Sequence, residues 1–179
     1  LELSRRAKEV CAVGWGRRLR GAELLLMFAV AVYRLQAREG RHFLHGHPAG
    51  ATSWDHPAIV KLRAQPGVDA VVSHMCAFGL ETTTASGAGR AAAKKPTRFL
   101  SSSTAILEAL SRRCPGDHPH APLLGGTRAR DAAVYPPGLC PAIAEGAAAP
   151  LRRDARPPRP PPTALRADPP APTTPQRPS

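Results

Sequence analysis

Proline placement constrains this chain more than any other feature, because each proline fixes φ and removes an amide donor. None of the 21 prolines lies in residues 1–47, and 11 of them fall in residues 150–179. The first stretch is free to form an unbroken helix. The last, running from Pro150 through Pro157-Pro158-Arg159-Pro160-Pro161-Pro162 to Pro178, reads as a solvated, polyproline-II-biased tail. Three segments follow: an N-terminal helical segment over 1–40, an α/β fragment over 41–146, and a disordered Pro/Arg-rich tail over 147–179. With only 8 aromatic residues among 179, any core is built mainly from Ala, Leu and Val.

In the first segment Leu24, Met27, Phe28, Ala31 and Leu35 follow helical spacing and define one expected buried face. The apolar run Leu24–Tyr33 spans ten residues, about half of the ~20 a bilayer crossing needs, so no membrane span is expected. In the middle segment, Arg41–His45 reads as a strand ending at Gly46-His47-Pro48. A helix starting near Ser53 carries Ile59, Leu62 and Arg63. Val68–His74 reads as a buried strand, Glu81–Ala93 as a loop and Pro96–Leu100 as a strand. Ser103 caps a helix with Ile106, Leu107 and Leu110 facing inward, and further helix is expected at Thr127–Tyr135 or after Pro137. Strands alternating with helices favour an α/β layer with a parallel sheet, a partial Rossmann-like half-sheet flanked by helices.

The formal net charge is +12, from 25 basic and 13 acidic residues. It is spread evenly: residues 1–40 hold 8 basic against 4 acidic, 41–149 hold 11 against 7, and 150–179 hold 6 against 2. No compact basic stripe emerges. Arginine outnumbers lysine 21 to 4, a ratio that GC-rich codons alone deliver. Such a field attracts phosphate backbones without sequence preference. The four cysteines, Cys11, Cys76, Cys114 and Cys140, include no CxxC pair and read as reduced thiols of an intracellular protein, cytoplasmic or nuclear. Pro157–Pro160 and Pro158–Pro161 fit the P-x-x-P spacing of a ligand for an SH3-type groove. A chain that begins at Leu1 reads as part of something longer.

Six sequence words occur in a fixed order. They are Gly40-Arg41-His42-Phe43-Leu44-His45-Gly46-His47-Pro48 with Ala51-Thr52-Ser53-Trp54, Cys76-Ala77-Phe78-Gly79-Leu80, Lys95-Pro96-Thr97-Arg98-Phe99-Leu100, Cys114 through His118-Pro119-His120, and Tyr135-Pro136-Pro137-Gly138-Leu139-Cys140. Together, over residues 22–146, they resemble a region of copia-type retrotransposon polyproteins of protists and fungi, and more remotely the later half of DNA cytosine-5 methyltransferase-like proteins. The second resemblance implies a Rossmann-type sheet, and a Glu after the first strand that holds the cytosine and assists its protonation. Gly46 stands at that position and offers no such group. A Pro-Cys nucleophile loop and a Gly-rich cofactor turn are also missing, so methyl transfer by this chain alone is not expected.

Cys114-x3-His118-x-His120 is the densest set of metal-capable side chains, with Cys76 or Cys140 available to complete four ligands. Zinc takes tetrahedral N and S donors, so Cys76, Cys114, His118 and His120 are the candidate ligand set. His42, His45 and His47 cluster at a strand end, and Lys94-Lys95 and Arg112-Arg113 are candidate phosphate contacts. Ser101-Ser102-Ser103-Thr104 lacks a nucleophile elbow and reads as helix capping. Trp54 and Tyr135 are expected in the core. The sequence points to a non-catalytic fragment of a retroelement-derived polyprotein with at most weak, non-specific nucleic-acid association. The alternatives are a zinc-stabilised binding module and a remnant of a methyltransferase-like enzyme lacking its cofactor half.

Overall fold

The computed structural model describes residues 2–84, 86–124 and 128–154, with side chains from residue 19 onward apart from 151, 153 and 154. The helix α1 (Glu2–Arg38) leads into the strand β1 (Leu44–Pro48), a 3₁₀ turn at Thr52–Asp55, and helix α2 (Pro57–Arg63). Strand β2 (Asp69–His74) runs into a second 3₁₀ turn, Met75–Phe78. The hairpin β3 (Glu81–Thr83) and β4 (Arg90–Ala92) precedes strand β5 (Pro96–Ser101) and helix α3 (Thr104–Leu110). The short α4 (Arg128–Asp131) and the longer α5 (Leu139–Asp154) follow.

The chain is mixed α/β. Three strands form one sheet in the order β1-β5-β2, with β5 central, and both pairings are antiparallel. The expected parallel, Rossmann-like half-sheet is therefore corrected. Short apolar runs such as Ala70–Val72 usually mark parallel strands because helices cover both faces. Here helices cover both faces of a small antiparallel sheet, which produces the same run. On one face Phe99 packs with Ile106, Leu107 and Leu110 of α3 and Leu139 and Ala142 of α5. On the other, Leu100 packs with Ile59 and Leu62 of α2, Val30 of α1, Phe43 and Trp54. Consecutive residues of β5 thus anchor the two cores, as the alternation of a pleated strand requires.

Local capping follows the sequence. The Ser103 hydroxyl accepts from the Ile106 amide at 3.4 Å and starts α3. His56 caps α2 by accepting from the Ala58 amide at 3.2 Å, with Pro57 at the first helical position, where it needs no amide donor.

Several boundaries and faces differ from expectation. Strand β1 continues through Gly46-His47-Pro48, because Gly46 lies opposite Phe99 and the ring covers the glycine. A Cβ on Gly46 would stand 2.8 Å from Phe99 Cε1, so this position has no room for a glutamate side chain unless the ring moves. The Glu81–Ala93 stretch is a hairpin rather than a loop. Tyr135 is exposed, whereas Trp54 is buried and donates from Nε1 to the Pro48 carbonyl at 2.8 Å. In α1 the inward stripe is Leu26, Val30 and Tyr33, not the face beginning at Leu24. Ten consecutive apolar residues leave periodicity without a polar face to orient it, so the facing core decides.

The tail boundary also moves. Helix α5 runs through 147–154 with Pro150 inside it, so the disorder expected from residue 147 is corrected over that stretch. A mid-helix proline costs about 3 kcal/mol, and packing of Leu139, Ala142 and Gly146 on α3 outweighs it. Residues 155–179, with the Pro157–Pro161 motif, lie outside the described residues. Among the described residues no helix is long and apolar enough to cross a membrane.

Candidate metal centre

Two segments meet at the exit of β2. The 3₁₀ turn that follows the strand buries Met75 and Phe78 in the core, and this fixes the turn that carries Cys76 between them. Gly79, at φ 85°, takes the left-handed conformation that ends the turn. The chain leaving α3 returns to the same place. His74 donates its amide to the Arg112 carbonyl at 3.0 Å, and the Cys114 amide donates to His74 Nδ1 at 3.0 Å. Gly116, at φ 85°, reverses the chain and donates its amide to Cys114 Sγ at 3.3 Å. Ala121 then donates to the Ala92 carbonyl at 2.9 Å. The loop 114–121 is thereby clamped at both ends, at β2 and at β4.

Cys76 Sγ, Cys114 Sγ and one ring nitrogen each of His118 and His120 all lie within 4.8 Å of one another, close enough to bind a metal ion. Cys114 is the hub, with Sγ 3.6 Å from His118 Nε2 and 3.3 Å from His120 Nε2. Zinc–sulfur bonds of about 2.3 Å and zinc–nitrogen bonds of about 2.0–2.1 Å, at tetrahedral angles, separate neighbouring donors by about 3.3–3.8 Å. The two distances from Cys114 Sγ fall in that interval. His118 Nδ1 lies 2.7 Å from Asp117 Oδ1. A carboxylate there holds the proton on Nδ1 and leaves Nε2 free as a ligand, the usual outer partner of a metal-binding histidine.

The electrostatics suit a neutral imidazole and a thiol that ionises only with help. Partial burial holds His120 below the ordinary histidine range, and His118 and Lys94 add to the effect. His74 is lowered by burial, then by Lys94, Arg113 and His120. Burial pushes the Cys76 thiol up, and its hydrogen bond and proximity to Cys114 push it further. A cation between the two sulfurs reverses that preference for the thiol.

No family model, curated protein or solved structure matches the chain.

Of the sequence candidates, Cys76, Cys114, His118 and His120 converge, while Cys140 sits exposed on α5 and takes no part. His45 and His47 share a face with rings 6.2 Å apart, but each has other partners. His45 Nδ1 lies 3.3 Å from the Tyr33 hydroxyl, and His47 Nδ1 lies 2.8 Å from Ser53 Oγ. Lys95 donates to the Ala132 carbonyl at 2.8 Å and so ties down α4, and the Arg112 guanidinium sits 5.0 Å from the Phe78 ring centre. Lys94 and Arg113 stay exposed beside the cluster. Sequence reasoning did not single out His74, Gly116 and Asp117, which position the ligands. The His74-x-Cys76 spacing and the Gly116-Asp117-His118 run were the available signals.

Proposed function

We propose that this protein is a non-catalytic binding module whose 114–121 loop is folded around a structural zinc ion held by Cys76, Cys114, His118 and His120. The observation that carries this reading is the convergence of two sulfur and two nitrogen donors within 4.8 Å. Four protein ligands fill a tetrahedral zinc and leave no open position for a substrate or an activated water, which favours a structural role over a catalytic one. Two thiolates and two neutral imidazoles cancel the dication's charge, so the field around the loop is set by its exposed neighbours, Lys94 and Arg113.

Those two cations support weak, salt-sensitive association with nucleic-acid phosphates, without base readout. The resemblance to retrotransposon polyproteins points toward the same class of partner. Metal analysis of the purified full chain gives one zinc per chain, and substitution with cobalt gives the visible absorption of a tetrahedral sulfur–nitrogen site. Less than one zinc per chain, or an octahedral cobalt spectrum, sinks the proposal. Duplex binding that does not weaken between low and physiological salt removes the electrostatic part of it while leaving the metal reading intact.

A further inference from the structure

Helix α1 is 37 residues, about 55 Å long at 1.5 Å per residue. Of its described side chains, Leu26, Val30 and Tyr33 pack on the body. The opposite face is apolar and open. Leu24 and Leu25 are each 72 % exposed and Phe28 is 70 %, with Met27, Val32 and Leu35 exposed by 36–45 %. At roughly 150–250 Å² for a large side chain, this face presents on the order of 600–700 Å², approaching the ~800 Å² that each partner of a stable, specific interface buries.

We propose that this face pairs with the same face of a second copy of the chain, in an antiparallel two-fold dimer centred between Phe28 and Ala31. Leu24, Phe28, Ala31 and Leu35 are spaced four, three and four residues apart, the a/d alternation of a helix–helix seam. A two-fold interface must be self-complementary, with residue i meeting j and j meeting i. The antiparallel register that sets Leu24 opposite Leu35 also sets Phe28 opposite Ala31, a large ring against a small side chain. It further sets Arg20 opposite Glu39, twice by symmetry, and Glu23 opposite the uncharged Gln36.

A parallel pairing fails on both counts. It stacks Phe28 on Phe28 and Arg20 on Arg20. It also brings together the two N-terminal halves, where residues 2–20 carry six basic against two acidic residues. Residues 21–40 carry two of each, so the antiparallel arrangement pairs the two neutral halves and carries the basic halves to opposite ends.

The test is sedimentation equilibrium on the full chain at about 10–100 μM, the range in which a standard-size interface associates. The wild type runs at twice its 18.9 kDa chain mass. Phe28→Glu sediments as a monomer with unchanged far-ultraviolet circular dichroism and unchanged metal content, since the Phe28 side chain is mostly solvent-exposed in the single chain. Arg20→Glu weakens dimerisation about tenfold or more by placing like charges opposite one another. The double variant Arg20→Glu/Glu39→Arg restores the wild-type constant, which a parallel pair does not do.

A wild type that stays monomeric at about 100 μM overturns the proposal, as does a dimer that survives Phe28→Glu or a charge swap without rescue. Binding of a monomeric wild type to phosphatidylserine vesicles, lost in Phe28→Glu, assigns the face to lipid and overturns it as well. The metal content of the same samples reports separately on the zinc reading, so either proposal can fail alone.

Discussion

Replacing Gly146 with alanine tests a close approach between two helices. Gly146 lies buried where α5 crosses α3. A Cβ there would stand 2.7 Å from Ile106 Cα, 2.9 Å from the Ala105 carbonyl oxygen and 3.2 Å from Ala109 Cβ. Two of these neighbours are backbone and cannot rotate aside. Ordinary carbon contacts begin near 3.5 Å, so α5 must retreat by about 1 Å at this point. That retreat loosens the packing of Ile106, Leu110 and Ala142 around it. Overpacking of this kind costs about 1–3 kcal/mol. Against it stands the helix-propensity gain of alanine over glycine, about 1 kcal/mol. The net expectation is a loss of up to about 2 kcal/mol, or up to roughly 8 °C in melting temperature at ~2–4 °C per kcal/mol.

The same substitution at Gly21, in α1, supplies the control. Nothing lies within 4 Å of the Cβ it would add, so only the propensity gain remains. Gly21→Ala is expected to stabilise by about 0.5–1 kcal/mol. One chemical change thus has opposite signs at two helical glycines. Thermal unfolding followed by circular dichroism reads both. If Gly146→Ala raises the melting temperature as Gly21→Ala does, α3 and α5 do not approach as closely as the packing argument requires.

Two further outcomes rest on the site and on the second core. Zinc at 100 times its dissociation constant stabilises the wild type by about 2.7 kcal/mol, roughly 5–10 °C by differential scanning fluorimetry. Cys114→Ser loses most of that gain and Cys140→Ser keeps it, so equal shifts in both variants refute the ligand assignment. His45 is held below its ordinary value of 6.5 by burial and then by His47. Below pH 6.5 the unfolded chain takes up that proton first, so His45 leaves stability intact above this window and erodes it as the pH falls. Urea midpoints between about pH 7.5 and 5 fall less steeply in His45→Gln than in the wild type, and an unchanged slope contradicts the assignment.

Much of the local structure was legible because its causes are local. Ser103 capping α3 and the strand at Pro96–Ser101 each depend on residues within a turn or two, whereas α2 starts at Pro57 rather than near Ser53, where a 3₁₀ turn stands instead. The candidate ligands were legible as residue types but not as a site. Cys114, His118 and His120 lie within seven positions, whereas Cys76 is 38 residues away and Cys140 was an equal contender on spacing. What separated them was the amide of Cys114 bonding to His74, which brings the loop back beside the turn of Cys76. The inward face of α1 differs from the face that spacing predicts for a related reason. An apolar run with no polar side leaves the choice of face to the surface that receives it.

The sequence alone determined where chain direction could change, since proline and glycine act through their own backbone. It also determined the donor chemistry available to a metal, because thiols and imidazoles are properties of single residues. Tertiary structure decided the rest. Strand polarity, the pairing of Gly46 with Phe99, survival of α5 across Pro150 and the choice of Cys76 over Cys140 all depend on contacts between residues far apart in sequence. Such contacts form only when burial of both sheet faces outweighs the entropy of closing the loops between them.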